Sequence, residues 1–391
     1  MTVETIKERH MQTKLLFDLS VTQPQHSTKI HGGGKYGEII FRRIVERKLP
    51  IAAIYNSSKW FNPEIKELIT ENNIMLLDKQ QEGTLENLLA KYKFKKLYSP
   101  IINDEIFNVN ADIDIIATIH GLRPLETTYD PMMFKYKSCT AHEKTSFILK
   151  KYFPQVGYRH AYSIYKNAYD KKKFRFAMVS NHSLNALLAY MPQFKNRNIQ
   201  AFYSPSTSSG NVTTRKYQDK YYLMVSAGRW EKNCLRSIIA FDRLFSNGFL
   251  KDTKVRVTGA SSLSAYKYRF KNPDHFEFMG YVDDSVLEQL YHDAYAFIYP
   301  SLNEGFGYPP MEAMRYGIPC IVSPFTSIPE ICQGAAIYTN PYSIEEIMNR
   351  ILMMENPHTH EKYAQLAMEQ EEKIRAKQEK DLDGIIDFIY L

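Results

Sequence analysis

Residues 296–312 read AFIYPSLNEGFGYPPME, and this stretch decides the fold. The apolar run Ala296–Pro300 has the length and composition of a buried strand. It gives way to a turn carrying Gly305 and Gly307. Pro310, a residue suited to the first turn of a helix, then opens a helical stretch that runs to Tyr316. Strand, glycine turn and helix in this order form the repeating unit of a parallel α/β sheet. Backbone N–H groups in such a turn and at the helix start make an anion site. Two carboxylates eight residues apart, Glu304 and Glu312, flank the turn. Each can accept hydrogen bonds from the vicinal hydroxyls of a ribose or a hexose. The segment therefore joins a phosphate-binding backbone to two sugar-binding acids.

Around it, the second half of the chain keeps the same alternation. Strands are expected at Tyr221–Ser226, Lys254–Thr258, Phe276–Phe278, Cys320–Ser323 and Ile337–Tyr338. Helices are expected at Cys234–Leu244, Ser285–Tyr291, Ile344–Met354 and Glu361–Lys380. The first half does the same. KLLFDLSV (Lys14–Val21) reads as a buried strand, a loop carries Gly32, Gly33 and Gly34, and Tyr36–Lys48 has the helical period. Strands then recur at Ile51–Tyr55, Ile74–Leu77, Lys96–Tyr98, Ile113–Ile119 and Phe176–Ser180. The Ser/Pro/Gly-rich stretch Ala201–Thr214 reads as a linker. Expected are a first domain over 1–212, a second over 213–375, and a last helix, 376–391, returning to the first. A Tyr- and Lys-rich excursion at about 127–175 breaks the rhythm of the first domain. Its Lys150, Lys151, Arg159, Lys166, Lys171, Lys172, Lys173 and Arg175 suit an anionic membrane surface or a lipid-diphosphate acceptor, or else a solvated face.

With 391 residues, 44% hydrophobic and 24% charged, the chain has material for two cores. The net charge of +7 is mild and dispersed. It suits an anionic ligand and is too small to argue for nucleic acid. Cys139, Cys234, Cys320 and Cys332 have no metal-ligand spacing and read as free thiols. The polar start, Met1–Lys14, lacks the apolar run of a signal peptide, and no stretch approaches a membrane span. A cytoplasmic protein is expected, with peripheral membrane association open.

Ser301–Ile331 (SLNEGFGYPPMEAMRYGIPCIVSPFTSIPEI) resembles the E-x7-E region of glycosyltransferase family 4, retaining enzymes of the GT-B fold. That resemblance implies two Rossmann-like doubly wound parallel-sheet domains facing across a cleft. It also implies a donor-sugar contact at Glu304, amides of Gly305, Phe306 and Gly307 near the sugar and phosphates, and Glu312 on the ribose hydroxyls. In AGRWEKN (Ala227–Asn233), Arg229 offers a fork and Lys232 a point charge, a natural pair for a pyrophosphate. By resemblance they are the donor-phosphate pair, although their spacing is shorter than in many relatives. The glycine loop (Gly33, Gly34) and His120, after the strand Ile113–Ile119, are similarly assigned to the sugar side, with Arg123 orienting donor or acceptor. Gly280, Tyr281 and Val282 are assigned to the nucleotide base. Thr258-Gly259-Ala260 ends a strand and could line the same site.

The expected reaction moves a hexose-type sugar from a nucleotide sugar to a glycan or lipid-linked glycan, as in surface polysaccharide synthesis. Arg229 and Lys232 stabilise the departing diphosphate. No metal is expected: Asp112–Asp114 has D-x-D spacing but sits in a strand pattern. The alternatives are a non-catalytic accessory protein of this fold and a nucleotide-sugar epimerase.

Overall fold

A computed structural model describes residues 14–24, 31–153, 155, 158–159, 162–163, 165–166, 173–206 and 219–391. The Lys171 and Lys172 of the expected basic excursion, and most of the expected linker, lie outside the described residues.

The chain forms two compact units. One comprises Met1–Leu122, Arg159–Ser209 and Ala376–Leu391; the other comprises Arg123–Tyr158 and Gly210–Arg375. The first unit is built on strands β1 (Leu15–Asp18), β2 (Ala52–Tyr55), β3 (Met75–Asp78), β4 (Lys96–Ser99), β5 (Asp114–Ile119), β6 (Phe174–Met178) and β7 (Ile199–Ala201). They make one sheet in the order β3-β2-β1-β4-β5-β6-β7, every neighbouring pair parallel. Both faces of a parallel sheet are covered, so its strands read as continuous apolar runs. Phe17 of β1 is fully buried and packs edge-on against Phe41 (centroids 5.3 Å apart) and Tyr98 (5.1 Å).

The second unit carries β8 (Tyr221–Met224), β9 (Lys254–Thr258), β10 (Phe276–Gly280), β11 (Ala296–Tyr299), β12 (Cys320–Val322) and β13 (Ala336–Tyr338). Its sheet runs β10-β9-β8-β11-β12-β13, again wholly parallel. Helix Cys234–Ser246 is buried along most of its length, and Ile344–Met354 packs beside it.

Three readings are corrected. The glycine run is not a loop before a helix. Helix Gly32–Glu46 begins at Gly32, with His31 as its cap. Strand β7, absent from the expected elements, ends at Ala201, where the expected linker begins. The early part of the excursion, 127–158, groups with the second unit rather than the first. Its apolar and polar anchors explain why. Asp130 receives both Nη atoms of Arg236 at 2.7 Å, Tyr136 accepts the Leu235 amide at 3.0 Å, and Phe147 meets Trp230 edge-on at 4.8 Å. Met133, Tyr136 and Phe147 thereby join the apolar core around helix Cys234–Ser246.

The final helix is one continuous element, Pro357–Tyr390, longer than its apolar pattern indicated. Within the first unit it is pinned by Arg43–Glu379 (2.6 Å) and Arg47–Asp387 (2.7 Å), and by the Tyr203 amide on Asp381 (2.7 Å). None of the four cysteines is in a disulfide, and all are buried. No helix among the described residues is long and apolar enough to cross a membrane.

Candidate active site

The order of the second sheet reverses at β8. Strands β9 and β10 extend to one side of it, and β11, β12 and β13 to the other. In an open parallel sheet, ligands bind outside the carboxyl ends of the strands at such a reversal. Two loops meet there, one after β8 and one after β11. Ser226 (φ 57°) and Asn233 (φ 58°) take the left-handed conformation and bracket the first loop. Between them the backbone packs so closely that a Cβ on Gly228 would lie 2.4 Å from the Gly259 carbonyl oxygen. The loops are tied to each other. Buried Asn233 donates through Nδ2 to the carbonyls of Pro300 (3.1 Å) and Pro341 (2.6 Å), and the Leu302 amide donates to the Glu231 carbonyl (2.8 Å).

On this frame the charged side chains converge. Oε1 of Glu304 accepts from Lys232 Nζ (2.5 Å), Ser301 Oγ (2.6 Å) and the Tyr299 hydroxyl (2.7 Å). The side chains of Lys232 and Glu304 are only 6% and 10% exposed. Burial alone would raise the Glu304 pKa. The Lys232 ammonium and the three donors outweigh it and hold the carboxyl below the usual glutamate range. The Lys232 pKa is lowered by burial, which its Glu304 partner only partly offsets, with Arg229 adding repulsion. Glu304 is therefore ionised at neutral pH.

A second cluster adjoins the first. Glu231 Oε1 accepts from Arg229 Nε (2.9 Å) and Nη2 (2.5 Å), and from Arg123 Nη1 (3.1 Å). Glu231 is buried, while Arg229 is about half exposed. Burial would raise the Glu231 carboxyl, but the two guanidiniums hold it down. Lys232, Arg229 and Arg123 thus face Glu304 and Glu231, and Glu143 adds a third carboxylate to the lining of the region. A cavity of about 390 Å³ opens there, lined by Arg123, Ser138, Cys139, Glu143, Gly228, Arg229, Trp230 and Glu231, so two guanidiniums stand against two carboxylates. Its fixed donors suit an anion. Glu304, ionised and saturated at Oε1, suits hydroxyl binding and stabilisation of nearby positive charge. It is a poor proton shuttle near neutrality.

Among the remaining predicted residues, Gly305, Phe306 and Gly307 continue directly from Glu304. That turn is fixed by the Glu304 amide on Thr326 Oγ1 (2.9 Å) and by Ser327 Oγ on the Glu304 carbonyl (3.1 Å). Phe306 is buried, its ring edge-on to Tyr308. Gly307 (φ 113°) caps helix Tyr308–Arg315 in a backbone region closed to most side chains. Glu312 is half-buried on that helix and faces Tyr291, whose hydroxyl pKa is pushed up by burial and then by the Glu312 charge. Gly280 (φ 64°) ends β10. Its amide donates to Ala260 (3.1 Å) and its carbonyl accepts from Gly259 (2.6 Å), so the ends of β9 and β10 are clamped together. Tyr281 is largely exposed, and Val282 packs on the apolar core.

The first unit gathers a separate group at its own sheet reversal, between β1 and β4. A Cβ on Gly34 would meet the Thr22 carbonyl oxygen at 2.6 Å, and one on Gly33 the Ile101 side chain at 2.8 Å. The Gly34 amide is taken by His31 Nδ1 (3.1 Å), so the expected set of free helix-start amides is one fewer. His120 follows β5. Its Nε2 lies 2.8 Å from the Pro100 carbonyl, and its ring stands edge-on to Tyr36 at 4.6 Å. Burial lowers the imidazole pKa to about 4, so the ring is neutral at pH 7 and Nε2 donates to Pro100.

Four residues of the second unit escaped sequence reasoning: Glu231, Asn233, Tyr299 and Ser301. Asn233 carried a usable signal, since asparagine is among the few side chains that accept the left-handed conformation before a helix. Glu231 read only as one charge in a basic loop. Tyr299 read as a strand residue, and the partner of its hydroxyl lies across a turn. Among the described residues, no cluster of three or more His, Cys, Asp or Glu is placed to hold a metal ion.

Residues 209–372 match the family model described as Glycosyl transferases group 1. The O-antigen chain mannosyltransferase RfbU of Salmonella typhimurium is 26% identical over 228 residues, which are 58% of this chain and 61% of that one. The chain therefore spans about three fifths of that relative's length. Two solved structures share the fold over nearly all of both chains. Sucrose-phosphate synthase from Thermosynechococcus elongatus is 12% identical, with a TM-score of 0.62 over 96% of this chain and 97% of that one. Anabaena HepE in complex with UDP-glucose is 14% identical, with a TM-score of 0.60 over 95% and 99%. The two parallel-sheet domains are of the GT-B type.

Proposed function

We propose, for a chain whose residues 209–372 match the glycosyl transferases group 1 model, that it moves a hexosyl group from a nucleotide-diphosphate sugar to a hydroxyl of a glycan or lipid-linked glycan in polysaccharide synthesis. Transfer retains the anomeric configuration and needs no metal. The observation that carries the reading is the pairing of Lys232 with a buried, ionised Glu304 beside the half-exposed Arg229, at the reversal of the second sheet.

In this reading Arg229 meets the donor diphosphate first, because its guanidinium is both fixed by Glu231 and open to solvent. Negative charge grows on the diphosphate as the glycosidic bond breaks. Arg229 and Lys232 are preorganised to receive it without reorganising at that moment. Glu304 accepts sugar hydroxyls and stabilises positive charge at the anomeric carbon. The lock of three donors on Oε1 argues for that role over covalent attack. His120 would meet a sugar as a neutral imidazole. The first hexose to test is mannose, given the similarity to RfbU.

The test is a thermal-shift panel of UDP, GDP, dTDP and ADP with their sugar conjugates, on wild type and Arg229→Ala. Ligand at about 100 times its dissociation constant stabilises a fold by about 2.7 kcal/mol. The expected result is a shift with one base that the variant loses, followed by an NMR reading of retained product configuration. Folded protein that responds to no nucleotide would refute the donor assignment and favour the accessory role.

A further inference from the structure

We propose that the outward face of helix Ala141–Tyr152 docks on an anionic lipid surface. The helix has two unlike sides. Inward, Phe147 is buried against Trp230 (4.8 Å) and Tyr129 (6.1 Å) and belongs to the core of the second unit. Outward, Ile148, Leu149, Tyr152 and the following Phe153 are 42%, 50%, 66% and 59% exposed. The pairs 148/152 and 149/153 stand four residues apart, so these side chains form one contiguous apolar patch. Four large apolar groups displayed together on a firmly anchored helix are not scattered surface residues.

Charge selects the occupant. Between positions 131 and 153 the chain carries five lysines, at 135, 137, 144, 150 and 151, and one acid, Glu143. That acid is turned away from the patch, because its carboxylate accepts the Thr140 amide (2.7 Å) and hydroxyl (2.8 Å) in a capping box. Lys151 Nζ lies over the rings of Tyr152 (5.1 Å) and Tyr129 (5.0 Å) at the border of the patch. Aromatic and branched apolar tips bordered by lysines of one sign match the boundary between anionic headgroups and acyl chains. A protein groove would leave that excess positive charge unanswered unless it were strongly acidic. Because Phe147 seats on Trp230, next to Arg229, docking would hold the candidate donor loop close to the lipid surface. The docking itself is independent of the transfer reaction and is read without nucleotide.

The experiment is co-sedimentation of the full chain with vesicles of phosphatidylcholine alone and of phosphatidylcholine with phosphatidylglycerol. Binding is expected to the anionic vesicles, to weaken with added salt, and to fall by at least about tenfold in Leu149→Ser/Phe153→Ser. A Lys144→Glu/Lys151→Glu variant is expected to lose the preference for anionic vesicles. Both pairs lie on the surface, and an unchanged melting temperature and nucleotide response would show the fold intact. Wild type that stays in the supernatant overturns the proposal, as does a serine variant that sediments like wild type. Concentration-dependent self-association lost in that variant, without vesicle binding, would assign the patch to a second copy of the chain instead. A chain that binds vesicles but no nucleotide would refute the transferase reading and leave the docking standing.

Discussion

Glu304→Gln removes the charge from the centre of the second unit's polar cluster and leaves Lys232 buried with no anion. Both side chains are at most 10% exposed and in contact at 2.5 Å, so this is not a solvated pair worth a fraction of a kcal/mol. Breaking a buried ion pair by deleting one partner costs about 3–5 kcal/mol. A glutamine keeps an acceptor for Ser301 and Tyr299, so the low end, about 3 kcal/mol, is expected. For a unit of this size that corresponds to a fall in melting temperature of roughly 10 °C. Lys232→Met alone strands the carboxylate with two hydroxyl donors and should cost a similar amount. The double variant removes both charges, and its loss should be smaller than the sum by about 2–3 kcal/mol. Trp230 lies in this unit and Trp60 in the other. Urea unfolding followed by tryptophan fluorescence in a Trp60→Phe background therefore reports the right transition. The sign with pH is also set. Glu304 is depressed in the fold, so its contribution is full above the unfolded value of about 4.3 and is lost as pH falls through the lower folded value. The advantage of wild type over the double variant should thus shrink below about pH 4. Single losses that add to within about 0.5 kcal/mol, or a difference that grows on acidification, would refute the pairing as the organising contact.

Glu231→Gln leaves Arg229 and Arg123 without their shared anion. Donor KM is expected to rise by roughly tenfold, the equivalent of one charge-assisted hydrogen bond, with a smaller change in melting temperature; an unchanged KM would remove Glu231 as the residue that positions Arg229. His120 should show no NMR titration between pH 8 and 5.5, since its pKa lies at about 4. A folded pKa below the unfolded value of about 6.5 means that stability falls as pH drops from 6.5 toward 4, and His120→Asn should flatten that part of the profile. Gly228→Ala drives a methyl to 2.4 Å from the Gly259 carbonyl, a backbone atom that cannot swing aside, and should cost several kcal/mol, whereas Gly248→Ala, with open space around it, should cost about 1 kcal/mol for its positive φ. Asp130→Ala leaves Arg236 with the neutral Asn233 oxygen but no carboxylate and should destabilise the second unit by about 3 kcal/mol, visible by the same fluorescence assay.

Local chemistry was written plainly along the chain. The short strand β9, Lys254–Thr258 (KVRVT), and the amphipathic helix Ile344–Met354 were read with the boundaries the structure has. Both signals are properties of neighbours in sequence: valines alternating with charged residues for the strand, and a 3.6-residue period for a helix packed on one side. The Glu304–Glu312 turn was legible for the same reason, since strand, glycines, prolines and acids fall within seventeen residues. Where contacts are distant, reading stopped. Gly32 to Gly34 lack helix propensity and looked like a loop. They form a first helical turn capped by His31, and Thr22 and Ile101 approach too closely for side chains at Gly33 and Gly34. The segment from Thr127 onward looked like an excursion of the first unit because it follows that unit's strands. Its Asp130, Tyr136 and Phe147 instead find Arg236, Leu235 and Trp230 about a hundred residues on.

The sequence by itself determined the element types, the parallel sheets, the strand–turn–helix with its two acids, and the basic loop of Arg229 and Lys232. Those follow from local periodicity and residue chemistry. Only the tertiary structure decided that Lys232 closes on Glu304 and Arg229 on Glu231, and that Glu312 turns toward Tyr291 instead. Which charge meets which depends on two loops brought together by a reversal of strand order, a relation among strands far apart in the chain that no single stretch of it contains.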